Sequence, residues 1–394
     1  MQEYPITGKG AYIIVKLDRQ NFTKPWDTLP PLNYEPDMRN LIETLNLDRA
    51  PNILVGENLT RDPGDGGFDY FMDNLKQMLI EKDKSNEKPS FIMFVLMSHG
   101  LINGGFFLAT PEPADKPVMP CSCNDQNNHR GNDGCYVRYI SQHVMAKVSD
   151  AFPLIPKIFL IQACRGNQSG VVIPGAADRP LRPPEAPSEI ELFNLKFSDC
   201  FLFRSCVEQQ KCWVLNDGQG SYFIDKFCYA LNMLRYTAKY HAEEVEKLLA
   251  ITSSSGSDSI KEFTAHISSE SFVNGWLGDV CQYTSALVAN VLINEKHQQS
   301  GIPHDKQQPH YSSSLAYKFS CLKMLKTQWQ LEDSYLDDWY HKKVANERVN
   351  VTEEQTDTAE GLSNAMEQRM DDTDGSDEEY RCPVQAEDSC DISE

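Results

Sequence analysis

Two uninterrupted apolar runs, Phe91 to Met97 (FIMFVLM) and Ile158 to Ile161 (IFLI), constrain the fold of this chain more than any other feature. A strand with water on one face alternates apolar and polar residues, whereas short, uniformly apolar runs suit strands buried on both faces. Ala11 to Leu17 (AYIIVKL) reads as a core strand too. Helical spacing recurs between these strands. Met38, Leu41, Ile42 and Leu45 mark one helix, with Asp37 as its N-cap, and Phe68, Phe71, Met72, Leu75, Met78 and Leu79 mark another. A short strand at Asn52 to Val55 separates them. Strand and helix thus alternate, so the expected class is α/β: a mostly parallel central sheet with helices on both faces, in three layers.

Both apolar runs end in chemically active residues. Met97 is followed by Ser98-His99-Gly100, and Ile161 by Gln162-Ala163-Cys164-Arg165-Gly166. In an open α/β sheet, ligands bind beyond the carboxyl ends of the strands, so neighbouring strands would offer His99 and Cys164 at one edge. An imidazole near a thiol can activate it as a nucleophile and later protonate a leaving amine. Glycines beside both residues leave backbone N–H groups open toward a developing oxyanion. Taken alone, a cysteine is more often a small buried hydrophobe.

The pair SHG and QACRG, histidine upstream and each at a strand end, resembles the caspase family of cysteine proteases, of the short-prodomain type. The resemblance runs from about Lys9 to about Lys296. It implies a caspase-like fold and hydrolysis of peptide bonds through a thioester, with Cys164 and His99 catalytic and no metal or organic cofactor. It also implies that the backbone N–H groups of Gly100 and Cys164 form the oxyanion site, and that Gln162 lines the primary specificity pocket. Residues 1–166 correspond to a large subunit, 167–191 to an intersubunit linker and 192–296 to a small subunit. The proline-rich linker holds Asp178, the only aspartate between Cys164 and Asp199 and therefore the candidate processing site of a zymogen. Ser221-Tyr222-Phe223-Ile224 matches the small-subunit signature and leads a helix to about Tyr240, and Tyr283 to Ile293 (YTSALVANVLI) is expected as the last strand, the edge of a homodimer.

The match fails in the specificity pocket. Caspases clamp a P1 aspartate between two arginines, a bidentate geometry that other side chains do not reproduce. The corresponding positions here are Pro31 and, after Trp213, Val214 or Leu215. Three readings follow: a cysteine endopeptidase with altered or weakened P1 aspartate preference, a catalytically poor homologue that regulates active caspases by heterodimerisation or adaptor binding, and a conventional aspartate-specific caspase of apoptosis.

His99 and Cys164 are 65 positions apart, more than the roughly 50 of the family signature. The excess includes a loop with Cys121, Cys123 and His129, followed by Cys135. A zinc site there has unusual spacing, and a surface insertion is the preferred reading. Tyr136 to Val148 is expected to be helical.

The remaining sequence bounds partners and surroundings. Of the net charge of −20, the segment from Asn350 onward carries −13, fifteen acidic residues against Arg369 and Arg381. Residues 350–394 read as an acidic disordered tail and 297–349 as a linker with an accessory helix, Trp329, Tyr335 and Trp339 being its aromatic anchors. No basic stripe suits nucleic acid or an anionic membrane. Without an apolar leader or a membrane-length run, the expected compartment is the cytoplasm, and the twelve cysteines read as reduced thiols, Cys200, Cys206 and Cys228 among them as small hydrophobes. Expected partners are protein or peptide substrates and a second caspase chain.

Overall fold

The apolar runs pair side by side. The computed structural model describes residues 2–6, 9–22, 32–50, 52–64, 66–82, 88–101, 104–111, 117–118, 135–165, 198–207, 210, 212, 220–239, 275–289 and 307–328. The chain divides into two units, Met1–Leu336 and Asp337–Glu394, and every described residue lies in the first. The elements there are β1 (Ala11–Lys16), α1 (Glu35–Leu45), β2 (Ile53–Glu57), α2 (Phe68–Asp73), α3 (Leu75–Lys82), β3 (Ile92–Met97), β4 (Gly105–Phe107), β5 (Val137–Tyr139), α4 (Ala146–Ala151), β6 (Lys157–Gln162), β7 (Cys200–Arg204), α5 (Tyr222–Lys239), α6 (Leu277–Ala289), β8 (His310–Ser313) and α7 (Cys321–Gln328). One sheet has the order β2-β1-β3-β6-β7-β8, parallel except for the antiparallel β7–β8 pair. The strands that carry SHG and QAC are immediate neighbours.

Both sheet faces are covered, which is why β1, β3 and β6 are buried at every position. Ile13, Val15, Ile92, Phe94, Leu96, Phe159, Ile161 and Leu202 share one core with Phe68 and Phe71 of α2, Leu75 of α3 and Val148 of α4. Alternate residues face the other layer, where Phe203 meets Phe223 and Phe227 of α5 at ring separations of 4.8 and 6.1 Å. Helix α1 packs on α5 in that layer. Each buried Val, Leu, Ile or Phe contributes about 1.5–3 kcal/mol, so these strands dominate the stability of the sheet.

Several local expectations give way to tertiary context. Helix α1 starts two residues before Asp37, which is buried inside its first turn and binds another helix instead of capping its own. The second expected helix breaks into α2 and α3 at Asn74, whose side-chain N–H donates to the Tyr70 carbonyl at 2.8 Å, a local bond that competes with the helical ladder. Tyr136 to Val148 is not one helix. Val137–Tyr139 pairs with β4, and a π-turn at Ile140–Met145 leads into α4.

The expected last strand is overturned as well. Leu277–Ala289 is a helix, with Val280, Cys281, Thr284 and Val288 buried at helical spacing, so Tyr283 cannot begin a dimer-edge strand. The outer strand is β8, which falls where a polar linker was expected and is held by β7 and by stacking of Tyr311 on Phe201 at 5.2 Å. Cys321–Gln328 is the described part of the expected accessory helix, and Trp329, Tyr335 and Trp339 lie outside the described residues. No helix among the described residues is long and apolar enough to cross a membrane.

Candidate active site

Register alone brings the two chemical strand ends together. Met97 of β3 pairs with Gln162 of β6, so His99 and Cys164 each follow two residues after one register pair, on strands about 4.8 Å apart. The Ser98 N–H donates to the Gln162 carbonyl at 3.1 Å, which carries the alignment beyond the strands. Gly100 closes the approach. A Cβ at this position would lie 1.9 Å from the Cys164 carbonyl oxygen and 2.8 Å from its nitrogen, so only glycine lets the SHG turn rest on the Cys164 backbone.

Both turns are held from behind. The Phe107 N–H donates to the His99 carbonyl at 3.1 Å, and the Leu101 N–H to the Gly105 carbonyl at 2.7 Å, so β4 folds back immediately after the histidine. The Ser98 hydroxyl donates to the Phe107 carbonyl at 2.8 Å, and the Gln20 amide reaches both Ser98 and Phe107. On the cysteine side, the Ser205 hydroxyl bonds the Ala163 N–H and carbonyl, each at 3.3 Å, and the Arg165 N–H donates to the Gln210 carbonyl at 2.9 Å. His99 is buried and Cys164 half-buried. A thiol and an imidazole fixed on adjacent strand ends, with backbone N–H groups beside them, can carry out acyl transfer.

A residue not anticipated from the sequence completes the thiol's surroundings. The Cys212 N–H donates to Cys164 Sγ at 3.3 Å, and the two sulfurs are 3.4 Å apart. Its hydrogen bond to Cys164, then burial, pushes the Cys212 thiol well up, so it stays protonated. Cys206 lies nearby with its thiol turned to the Ala163 and Gln210 carbonyls, and burial pushes it up to about 12. The sequence signal for Cys212 is its place immediately before Trp213, in the loop expected to line the pocket.

A family model described as the caspase domain matches residues 69–320, well over half of the 394 residues. The chain belongs to the caspase family. No curated protein matches this chain. Among solved structures, caspase-1 from Spodoptera frugiperda superposes with a TM-score of 0.47 at 15% identity, over 82% of this chain and 93% of that one.

The face of the sheet that carries Gln162 is covered by the layer of α1 and α5. Gln162 is completely buried there, and neither side-chain amide atom has a hydrogen-bond partner among the described residues. Tyr34, also buried, lies close enough to feel Cys212, Cys164 and Asp37, and burial, then these neighbours, pushes its phenol well up, keeping it neutral. Of the buried arginines beside the strand ends, Arg204 pairs with Ile161 and by alternation faces away from Gln162, while Arg165 lies near Cys206. Pro31, Trp213, Val214 and Leu215 of the expected pocket lie outside the described residues, as do Asp178, Cys121, Cys123 and His129. Cys135 is buried in the core and accepts a bond from the Val137 N–H at 3.4 Å. Among the described residues, no three His, Cys, Asp or Glu side chains gather as metal ligands would.

Asp37 ties α1 to the start of α5. Its Oδ1 accepts from the Ser221 N–H at 2.8 Å and from the Ser221 hydroxyl at 3.0 Å, and that hydroxyl in turn caps α5 by accepting from the Ile224 N–H at 3.3 Å. Burial pushes the carboxyl up to about 7, against partial compensation by Ser221, and the buried Oδ2 has no partner among the described residues. An acid with its folded pKa above its unfolded value binds its proton more tightly when folded. Its contribution is full below the ordinary value of 3.8 and is lost as pH rises toward about 7. The loss amounts to about 4 kcal/mol. Asp37→Asn keeps an acceptor for Ser221 and cannot titrate, so wild type should lose stability relative to the variant between these two pH values. Denaturant melts across that window check this, and a pH-independent difference rejects it.

Proposed function

We propose that this caspase-family chain is a cysteine endopeptidase that hydrolyses peptide bonds in proteins. Cys164 attacks the scissile carbonyl, His99 takes up the thiol proton and returns it to the leaving amine, and the Gly100 and Cys164 N–H groups hold the oxyanion. A thioester forms as the amine departs, and water then hydrolyses it. The observation that carries this reading is the seating of Gly100 on the Cys164 backbone, which brings histidine and cysteine to one strand edge.

The same reading assigns a P1 side chain less polar than aspartate. A carboxylate entering near Cys164 would find the neutral Tyr34 phenol, which lies close enough to feel Cys212, Cys164 and Asp37. Pro31 and Val214 or Leu215 occupy the sequence positions of the arginine clamp, so the desolvation of a P1 aspartate would be left unpaid there. Gln162 carries an uncharged amide, with N–H donors and a carbonyl acceptor, which suits a polar uncharged P1 residue better than a carboxylate.

A positional scanning peptide library, read with wild type, Cys164→Ala and Asp178→Ala, tests both points. The expected result is Cys164-dependent peptide cleavage with an uncharged P1 preference and, after treatment with an aspartate-specific caspase, a single-chain product only where Asp178 is replaced. Cleavage confined to P1 aspartate would overturn the specificity. Absence of Cys164-dependent turnover at every P1, even after cleavage of the linker, would assign the chain to the regulatory reading.

A further inference from the structure

We propose that Cys164 and Cys212 form a peroxide-responsive dithiol, closing to a reversible disulfide that takes Cys164 out of reaction. The contact is close in three ways: the sulfurs lie 3.4 Å apart, the Cys212 N–H meets Cys164 Sγ at 3.3 Å, and Cys164 Sγ lies 3.7 Å from the Cys212 carbonyl. A disulfide needs the sulfurs at about 2.05 Å, so closure requires a movement of about 1.4 Å. Both residues are only half-buried, so the pair lies at the edge of the site and not in the core. The two residues are 48 positions apart in the chain, and β6 and the segment after β7 bring them together.

The chemistry balances with hydrogen peroxide as oxidant. Cys164 sulfur attacks one peroxide oxygen, the O–O bond breaks, and the departing hydroxide takes up the thiol proton as water, leaving a sulfenic acid. Cys212 sulfur then attacks the Cys164 sulfur, the S–O bond breaks, and the departing hydroxide takes the Cys212 proton as a second water. Two thiols and one peroxide become one disulfide and two waters. Cys212, pushed well up by its hydrogen bond to Cys164 and by burial, is the resolving partner rather than the group attacked first. Cys206 is the competing thiol, but it is fully buried and its Sγ is turned to the Ala163 and Gln210 carbonyls at 3.6 and 3.4 Å.

The disulfide stands on geometry alone, and its consequence for hydrolysis rests on the function proposed above. The test treats the reduced full-length chain with hydrogen peroxide, alkylates free thiols and maps peptides by mass spectrometry without reduction. The expected main product of Cys164 is a peptide pair linked to Cys212, two hydrogens lighter than its components and dissolved by dithiothreitol. Hydrolysis is lost as it forms and fully restored by the reductant. Cys212→Ser forms no link, and its Cys164 proceeds to sulfinic acid, which dithiothreitol does not reverse; Cys206→Ser still forms the Cys164–Cys212 link. Wild-type Cys164 reaching sulfinic acid as fast as in Cys212→Ser, or linking to Cys206, overturns the proposal. If the reduced chain hydrolyses no peptide, the map still decides the disulfide and only the protease reading fails.

Discussion

Replacing Cys164 by alanine should abolish hydrolysis, with kcat falling by about 10⁴–10⁶-fold, because, with its hydrogen bond to Cys164 gone, burial still keeps the neighbouring Cys212 thiol protonated and unable to take over as nucleophile. His99→Ala falls by a similar factor, and the double variant is no worse than either single one, since residues that act as one unit lose their effect together. The fold survives these changes. Cys164 is half-buried, and the Ser98–Gln162 and Arg165–Gln210 backbone bonds that hold the strand ends remain. Measured kcat for the three variants, with thermal melts alongside, checks the unit. Losses that multiply in the double variant would mean that His99 and Cys164 act separately, and the acyl-transfer reading would then fail.

Gly100→Ala carries the next largest effect and tests how the two strand ends meet. The new methyl would lie 1.9 Å from the Cys164 carbonyl oxygen and 2.8 Å from its nitrogen. Both are backbone atoms, so no rotamer change relieves the overlap, and the SHG turn must move away from β6. Overpacking of this kind costs about 1–3 kcal/mol of stability. A displacement of about 1 Å between reacting groups costs about 10²-fold in kcat/KM. Gly278→Ala is the control: nothing lies within 4 Å of its Cβ, and the site is helical, so stability should hold or rise by up to about 1 kcal/mol. Gly100→Ala with wild-type melting and wild-type kcat/KM would show that the turn does not rest on Cys164.

How much of this was legible in the sequence depended on what drives each element. Strands β1, β3 and β6 were readable because burial on both faces demands apolar residues at every position. Tyr283 to Ile293 reads as a strand because YTSALVANVLI is apolar and partly β-branched, yet its described part belongs to the helix Leu277–Ala289. Its packing against α5 selects the helical period, and propensity yields to that contact. β8 was invisible, since HYSS has no apolar run and pairs only because β7 leaves an edge and Phe201 offers Tyr311 a ring. Asp37 looked like an N-cap because Asp-Met opens a periodic stretch, yet its partner Ser221 is 184 positions away.

The same division holds at the site. Local sequence determined where His99 and Cys164 lie, because a group at a buried strand's carboxyl end needs only that strand's own pattern to be placed at the sheet edge. It also carries the expectation, from the family resemblance, that Pro31 and Val214 or Leu215 stand where the arginine clamp would be, at positions outside the described residues. Tertiary structure alone decided that Gly100 sits on the Cys164 backbone, that Tyr34 lies near Cys164 and Cys212, that Asp37 binds Ser221, and that Cys212 comes within 3.4 Å of the thiol. These are contacts between residues distant in the chain, and their distances follow from strand order and register, which no single segment encodes.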